Sequence, residues 1–392
     1  MLGVAIVGAG TIGAAHAQGY RLQSTFPQAV PVSLVKIVDE DGEAADRLAS
    51  RFSFAECGRQ WEELLHDDRV DVVSLAVPNH LHHRIALALM AAGKNVLCEK
   101  PLANDVADAY QLNCAAKDAG VTAGTVFNYR RIPAVSAIRE LAQRGRFGDL
   151  LHFQGQYLAD YGADPESPLS WRYRRSLAGP GVLADVGSHL IDLARCCCGE
   201  IVRVDSAQAR TVITTRPLLQ GGSDSRASAS SEETGSVDNE DLVSATLTFA
   251  NGCLAQLTMS RVAAGYGNGL SFVLLGREQT VRFDYARMAE YEVASRRQAS
   301  PGFRRVEAGP DDAFFQTLTV PVRGVGFGYA EVFAMQIHDY LDAASRGEPF
   351  TDGGFDDGYE VALVIAAVEQ AVGSGNGIAV ADVRGAVEGV KG

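Results

Sequence analysis

Positive charge is in short supply: 35 Lys and Arg stand against 48 Asp and Glu, a net charge of −13, and no basic block appears in the chain. A nucleic-acid or anionic-membrane partner therefore has no electrostatic footprint, and the expected partner is a small molecule. Disulfide architecture is also missing. The seven cysteines are odd in number, include the run Cys196-Cys197-Cys198, and follow neither a disulfide-framework nor a zinc spacing. They read as reduced, buried thiols, which makes the cytosol the expected compartment.

Residues 1–20 contain no Asp, Glu, Lys or Arg, but they make neither a signal peptide nor a membrane span. No basic n-region is present, and five glycines interrupt the apolar run. No other charge-free apolar stretch reaches spanning length. At 392 residues of ordinary globular composition, the chain is long enough for sizeable cores and about two or three domains.

What fills the charge-free opening is Val4-Ala5-Ile6-Val7-Gly8-Ala9-Gly10-Thr11-Ile12-Gly13, an apolar strand breaking into G-x-G-x-x-G. Gly8 permits the turn, Gly10 lets a pyrophosphate approach the backbone, and Gly13 lets the helix pack on its strand. The helix start at Thr11 and Ile12 offers N–H groups to the anion. Glycine-rich turns of this kind also occur in other phosphate sites and in plain loops, so context decides. A second strand, Pro31 to Val38, ends at Asp39, a carboxylate placed to accept from both ribose hydroxyls. No arginine follows Asp39; Glu40 and Asp41 would repel a 2′-phosphate, which selects NAD over NADP.

The rhythm then continues as a helix from Gly42 to about Phe52, strand Val70 to Val77, helix Leu81 to Ala92, strand Asn95 to Cys98, helix Asp105 to Ala119 and strand Val121 to Phe127. Continuous apolar strands alternating with helices imply a doubly wound parallel sheet, an α/β Rossmann domain over residues 1–128. Beyond it come a helix around Ala134 to Gln143 and longer alternating segments: Leu150 to Leu158, Val202 to Thr214, Leu242 to Phe249, Cys253 to Ser260 and Leu270 to Leu275. With two helical patterns at Tyr329 to Ala344 and Tyr359 to Val372, residues 129–392 read as an α+β domain on a mostly antiparallel open sheet. Residues 220–237 are Gly/Ser/Ala/Glu-rich and read as a mobile surface insertion.

In open α/β sheets, ligands bind beyond the carboxyl ends of the strands. The loop Pro78-Asn79-His80-Leu81-His82-His83 and the loop Glu99-Lys100-Pro101 lie there. Three histidines within four residues suggest a metal, but no carboxylate or cysteine completes a ligand set, so no metal is expected. Lys100 can hold its ammonium against cofactor and substrate, or simply form a surface ion pair with Glu99. In the second domain, Asp185, His189 and Asp192 fall at i, i+4 and i+7, on one face if a single helix covers them. Histidine suits proton transfer near neutrality, and a carboxylate one turn away can orient it. A capped helix with an ion pair would leave the same spacing.

The order of these motifs, dinucleotide fingerprint, Glu99-Lys100-Pro101, then Asp185-x-Gly187-x-His189-x-x-Asp192, resembles the Gfo/Idh/MocA family across nearly the whole chain. The resemblance implies that Lys100, Asp185 and His189 work at a substrate hydroxyl beside the nicotinamide. Pro78, Asn79, His82, Glu99 and Asn128 would line the cofactor, and Trp171-Arg172 would reach its nicotinamide end. Asn128-Tyr129-Arg130-Arg131, Ala159-Asp160, Ser167-Pro168-Leu169-Ser170-Trp171-Arg172 and Gly326-Phe327-Gly328-Tyr329 look like the levoglucosan dehydrogenase branch, which oxidises a ring hydroxyl at C3 of an anhydrosugar. Tyr129, Arg130, Asp160 and Trp171 would then meet the sugar. The implied activity is NAD-dependent oxidation of a ring secondary hydroxyl of a sugar, anhydrosugar or cyclic polyol. Inositol dehydrogenase, ketosugar reductase and a catalytically silent NAD-binding sensor stay open. The family also implies a homodimer or homotetramer through the sheet of the second domain.

The acidic run Asp39-Glu40-Asp41 makes a direct prediction. Steady-state kinetics should return a lower Michaelis constant for NAD than for NADP; the reverse order overturns the assignment.

Overall fold

The computed structural model describes residues 1–219, 230–297, 302–309, 312, 315–322, 324 and 327–389. Six short parallel strands form the first sheet: β1 (Leu2–Val7), β2 (Val32–Val38), β3 (Glu56–Gly58), β4 (Val72–Leu75), β5 (Asn95–Cys98) and β6 (Ala123–Thr125), in the order β3-β2-β1-β4-β5-β6. The order reverses between β1 and β4, so the glycine-rich turn after β1 lies at the switch point of a Rossmann sheet. The strand β5 has the bounds its apolar run predicted, whereas β4 and β6 are narrower than theirs. Only residues in the parallel ladder count as strand, and the apolar flanks continue as buried loop.

The helices α1 (Thr11–Gln23) and α2 (Gly42–Phe52) follow the first two strands. Asp41 caps α2, accepting from the N–H groups of Glu43 and Ala44. After β4 and β5 come α3 (His82–Ala91) and α4 (Val106–Ala119). Next along the chain is α5 (Pro133–Gln143).

The second sheet has nine strands. Those are β7 (Leu150–Leu158), β8 (Ile201–Arg210), β11 (Leu242–Phe249), β12 (Leu254–Ser260), β13 (Gly269–Gly276), β14 (Gln279–Asp284), β15 (Glu290–Ser295), β16 (Arg304–Glu307) and β17 (Ile378–Ala379). All its pairings are antiparallel except that of β7 with β12. Along β7 the side chains alternate: Phe153, Gly155 and Tyr157 face inward while Gln154 is exposed. That is the signature of a sheet with one covered face. The cover is α8 (Gly187–Cys198), which follows the short helices α6 (Arg175–Ala178) and α7 (Val182–Asp185). A Cβ at Gly155 would lie 2.8 Å from Leu190 Cδ1, so glycine there lets α8 sit close on β7.

The structure corrects two expectations about organisation. The chain does not divide once after Asn128. One compact unit comprises Met1–Ala103, Ala107–Pro133 and Gly309–Glu360; the other comprises Asn104–Val106, Ala134–Ala308 and Val361–Gly392. The late helix α9 (Tyr329–Arg346) packs in the first unit, where Phe333, Ile337, Tyr340 and Leu341 join Val4, Ile6, Tyr20, Ile37 and Leu97 in one core. Gly19 of α1 admits it, since a Cβ there would meet Ile337 Cδ1 at 2.6 Å. Amphipathic periodicity cannot tell which sheet a late helix covers. The second correction concerns the 220–237 insertion. Its later part, β10 (Ser230–Ser236), pairs antiparallel with β9 (Thr215–Leu219) in a two-stranded sheet; residues 220–229 lie outside the described residues. Backbone pairing, which composition does not encode, places the described part of the segment. Two further helices, α10 (Phe355–Ser374) and α11 (Val380–Glu388), close the described chain.

Cysteine placement matches reduced thiols in part. Cys98, Cys197, Cys198 and Cys253 are buried, Cys57 is exposed, and the cysteines are free.

In the second unit Arg261 and Asp241 are an ion pair at 2.7 Å with 1% and 0% side-chain exposure. Removing one member leaves the other charge buried and uncompensated, so Arg261→Ala should lower the unfolding free energy by about 3–5 kcal/mol. Denaturant unfolding measures it, and a loss below about 1 kcal/mol would mean that solvent reaches the pair.

Candidate active site

At the end of β1 the backbone itself makes the site. Gly8 has φ of +106°, and a Cβ on it would meet Ala76 O at 2.3 Å. Gly13 lies against the Gly8 carbonyl, where a Cβ would approach to 1.9 Å. Beside Gly10, in contrast, nothing lies within 4 Å of an added Cβ. Gly10 is the N-cap of α1 and supplies no side-chain cap, so the helix N-terminus faces open space with its first-turn N–H groups. A pyrophosphate fits this cradle by shape and by charge.

Asp39, at the end of β2, reaches the same loop. Its Oδ2 accepts from the Ala9 N–H at 2.6 Å and its Oδ1 from the Asp41 N–H at 2.9 Å. Pro78 precedes the turn Asn79–Leu81 after β4, with Asn79 buried. Glu99 is buried at the end of β5, and the following Lys100–Pro101 peptide is cis. Asn128 and Tyr129 are buried in the short turn after β6.

Beneath Lys100 runs a buried polar chain that sequence reasoning missed. Tyr20 Oη lies 2.8 Å from Ser74 Oγ, Ser74 Oγ 3.1 Å from His16 Nδ1, and His16 Nε2 3.1 Å from Glu99 Oε1. The Lys100 N–H donates to Glu99 Oε2 at 3.2 Å. One proton arrangement gives each of these donors an acceptor: Tyr20 to Ser74, Ser74 to His16 Nδ1, His16 Nε2–H to Glu99. Burial pushes the Tyr20 phenol well up, with the Ser74 bond opposing, so the tyrosine stays protonated. The signal was present in retrospect: a histidine and a tyrosine four residues apart on α1, and a serine inside the apolar strand β4.

Two expected site residues are reassigned. His82 does not line a ligand surface. It is fully buried, with Nδ1 2.9 Å from Pro101 O and Nε2 3.0 Å from Val77 O, and so ties the loop after β4 to the loop after β5. The neighbouring His83 instead meets Gln111 and Asp108. No group of three or more His, Cys, Asp or Glu able to hold a metal ion occurs among the described residues. Arg130 does not present its guanidinium to a sugar either. It is 4% exposed and its Nη1 bonds Asp352 Oδ1 at 3.0 Å and Asp357 Oδ2 at 2.8 Å.

In the second unit, Asp185 and His189 do not lie on one continuous helix. Asp185 ends α7, Val186 separates it, and α8 starts at Gly187. Val186 keeps αR torsions and the Leu190 N–H bonds its carbonyl at 3.3 Å; a Cβ at Gly187 would lie 2.7 Å from Met259 Sδ, so glycine lets this turn sit close on β12. His189 is therefore in the first turn of α8, 7% exposed, while Asp192 is 1% exposed and belongs to the core. The Tyr161 hydroxyl donates to Asp185 Oδ2 at 2.7 Å, a contact the motif did not reveal. Asp160 and Trp171 are partly exposed, and the Arg172 guanidinium lies 4.5 Å from the Trp171 ring centroid. Gly326 lies outside the described residues.

Two family models cover this chain. Residues 2–127 match the oxidoreductase family with an NAD-binding Rossmann fold, and residues 135–282 match the GFO/IDH/MocA C-terminal domain. The chain belongs to the Gfo/Idh/MocA oxidoreductase family. It is 37% identical over 374 residues to levoglucosan dehydrogenase of Pseudarthrobacter phenanthrenivorans, covering 94% of this chain and 95% of that protein. The structure of a levoglucosan dehydrogenase complex with NADH and levoglucosan superposes with a TM-score of 0.90 at 36% identity, covering 97% of this chain and 99% of that one. An inositol dehydrogenase homologue from Azotobacter vinelandii, complexed with NAD+, shares the fold with a TM-score of 0.80 at 20% identity over 96% and 97% of the two chains. The Rossmann unit of this family member is an NAD-binding domain.

Burial lowers the pKa of His82 below its ordinary 6.5, with the Pro101 and Val77 carbonyls opposing. Below about pH 6.5 the unfolded chain binds the proton that the folded one refuses, so stability falls as pH falls. In His82→Gln the dependence of unfolding free energy between about pH 7 and 5.5 should be flatter than in the unaltered protein. Equal slopes would show that the imidazole charges in place.

Proposed function

We propose that this protein is an NAD-dependent dehydrogenase that oxidises a ring secondary hydroxyl of a sugar, anhydrosugar or cyclic polyol to a ketone, with C3 of levoglucosan as the first candidate. The observation that carries the reading is the similarity to levoglucosan dehydrogenase along almost the whole chain. In the pattern of that family, Lys100, Asp185 and His189 fall at the substrate-hydroxyl positions.

Bound NAD supplies the hydride acceptor. Gly8, Gly10, Thr11, Ile12 and Gly13 hold its pyrophosphate, Asp39 its ribose hydroxyls, and Pro78, Asn79, Glu99, Asn128, Trp171 and Arg172 its nicotinamide half. His189 takes the hydroxyl proton as the carbinol carbon loses hydride. The Lys100 ammonium hydrogen-bonds the reacting oxygen and stabilises the developing alkoxide. Asp185 orients His189 and binds a neighbouring hydroxyl; Tyr129, Asp160 and Trp171 contact the remainder of the sugar. Glu99, held by His16, fixes the backbone from which Lys100 projects.

The same reading includes a cytosolic homodimer or homotetramer. Its support is the open face of the nine-stranded sheet, where Gln154, Gln156, Ser244, Thr246, Gln256 and Thr258 line a hollow of about 1010 Å³.

The test is reduced-cofactor absorbance at alkaline pH, with NAD or NADP against levoglucosan, myo- and scyllo-inositol, glucose and simple glycosides. Turnover of levoglucosan or a glycoside with NAD is expected. Lys100→Met should lose at least about a hundredfold in kcat, the effect of removing an oxyanion donor. Retention of most turnover in that variant removes the role given to Lys100, and NAD binding without turnover of any compound favours a sensor.

A further inference from the structure

Beyond β7 the chain makes a loop whose every turn is anchored. The Ala159 N–H donates to Ser260 O at 2.8 Å, the Gly162 N–H to Arg261 O at 2.8 Å, and the Ala263 N–H returns to Ala159 O at 2.9 Å. A Cβ at Gly162 would come within 2.9 Å of Arg261 O, so the residue after Tyr161 must be small. From the other side, Arg216 donates to Gly162 O and, at 2.7 Å, to Asp164 O. The guanidiniums of Arg216 and Arg261 lie 4.0 Å and 4.7 Å from the centroid of the Tyr173 ring. Arg216 and Arg261 are 0% and 1% exposed, and Arg261 is tied to Asp241 and to Asn239. This much buried hydrogen bonding on one loop leaves its backbone little freedom.

The side chain so placed is Tyr161, 39% exposed, with its hydroxyl on Asp185 Oδ2 at 2.7 Å. We propose that Tyr161 is the positioning residue for Asp185, an O–H donor on a rigid loop that holds the carboxylate in one orientation toward a polyhydroxylated substrate. The inference rests on the role given to Asp185 above. Although the ring is partly exposed, desolvation at the phenol and the nearby Asp185 charge both push its pKa well above 10, with Arg261 opposing. Tyr161 therefore stays a donor at alkaline pH.

Tyr161→Phe removes one oxygen and keeps the ring. With levoglucosan and NAD, kcat is expected to fall about ten- to a hundredfold, the scale of one charge-assisted hydrogen bond. The KM for NAD, NADH binding followed by fluorescence and the thermal midpoint should not change. Loss of thermal stability together with NADH binding would show a merely structural role and overturn the inference. Asp185→Asn, measured alongside, separates the two failures. An inactive Asp185→Asn beside a fully active Tyr161→Phe overturns the role of Tyr161 alone. A fully active Asp185→Asn, or an unaltered protein that turns over none of the sugars and polyols in the panel, removes the reading of the site and the inference with it.

Discussion

The contact of Gly13 with the Gly8 carbonyl sets the position of α1, and the first unit is built on that helix. With no side chain between them, the helix rests on the turn after β1, and three of its residues then find their partners. Gly10 opens its N-terminus to an anion, His16 reaches Ser74 and Glu99, and Gly19 admits α9. A methyl group at Gly13 would displace all three at once. The phosphate cradle, the support of Lys100 and the packing of the late helix are thus one mechanical problem. The Phe333 ring, 5.1 Å from His16 and edge-on to it, shows α9 sealing the polar chain from above.

The second unit solves the same problem with charge. Its sheet supplies a flat covered face for α8, but the loops beyond β7 and β12 are polar and need another fastening. Buried guanidiniums provide it. Arg261 has Asp241 as counter-ion, Arg216 spreads its donors over loop carbonyls, and Tyr173 is held between them. Buried ion pairs contribute little net stability compared with apolar packing, but they impose one geometry on the groups they bond. Here that geometry is imposed on the loop that carries Asp160 and Tyr161.

Much of the candidate site was legible because its residues are placed by backbone geometry or sit at strand ends. Gly8, Gly10 and Gly13 are placed by conformational demand, Asp39 by strand length, and Lys100 by the end of an apolar run. Two of the expected residues are held by protein partners. His82 and Arg130 are polar residues at positions where a ligand group would be expected, yet each is consumed by partners distant in sequence: the Val77 and Pro101 carbonyls, and Asp352 with Asp357. Asp185 and His189 showed helical spacing, but they fall on two helical segments divided at Val186.

Sequence alone determined the doubly wound sheet, its glycine cradle, the mostly antiparallel second sheet and the family, because these depend on periodicity, local conformation and short motifs. Tertiary structure decided which sheet α9 covers, that β10 pairs with β9, and which polar side chains are already satisfied. The reason is physical. Apolar periodicity says that a face must be buried and a polar group must be bonded, but the partner that does either comes from a distant part of the chain, at a position no local pattern encodes.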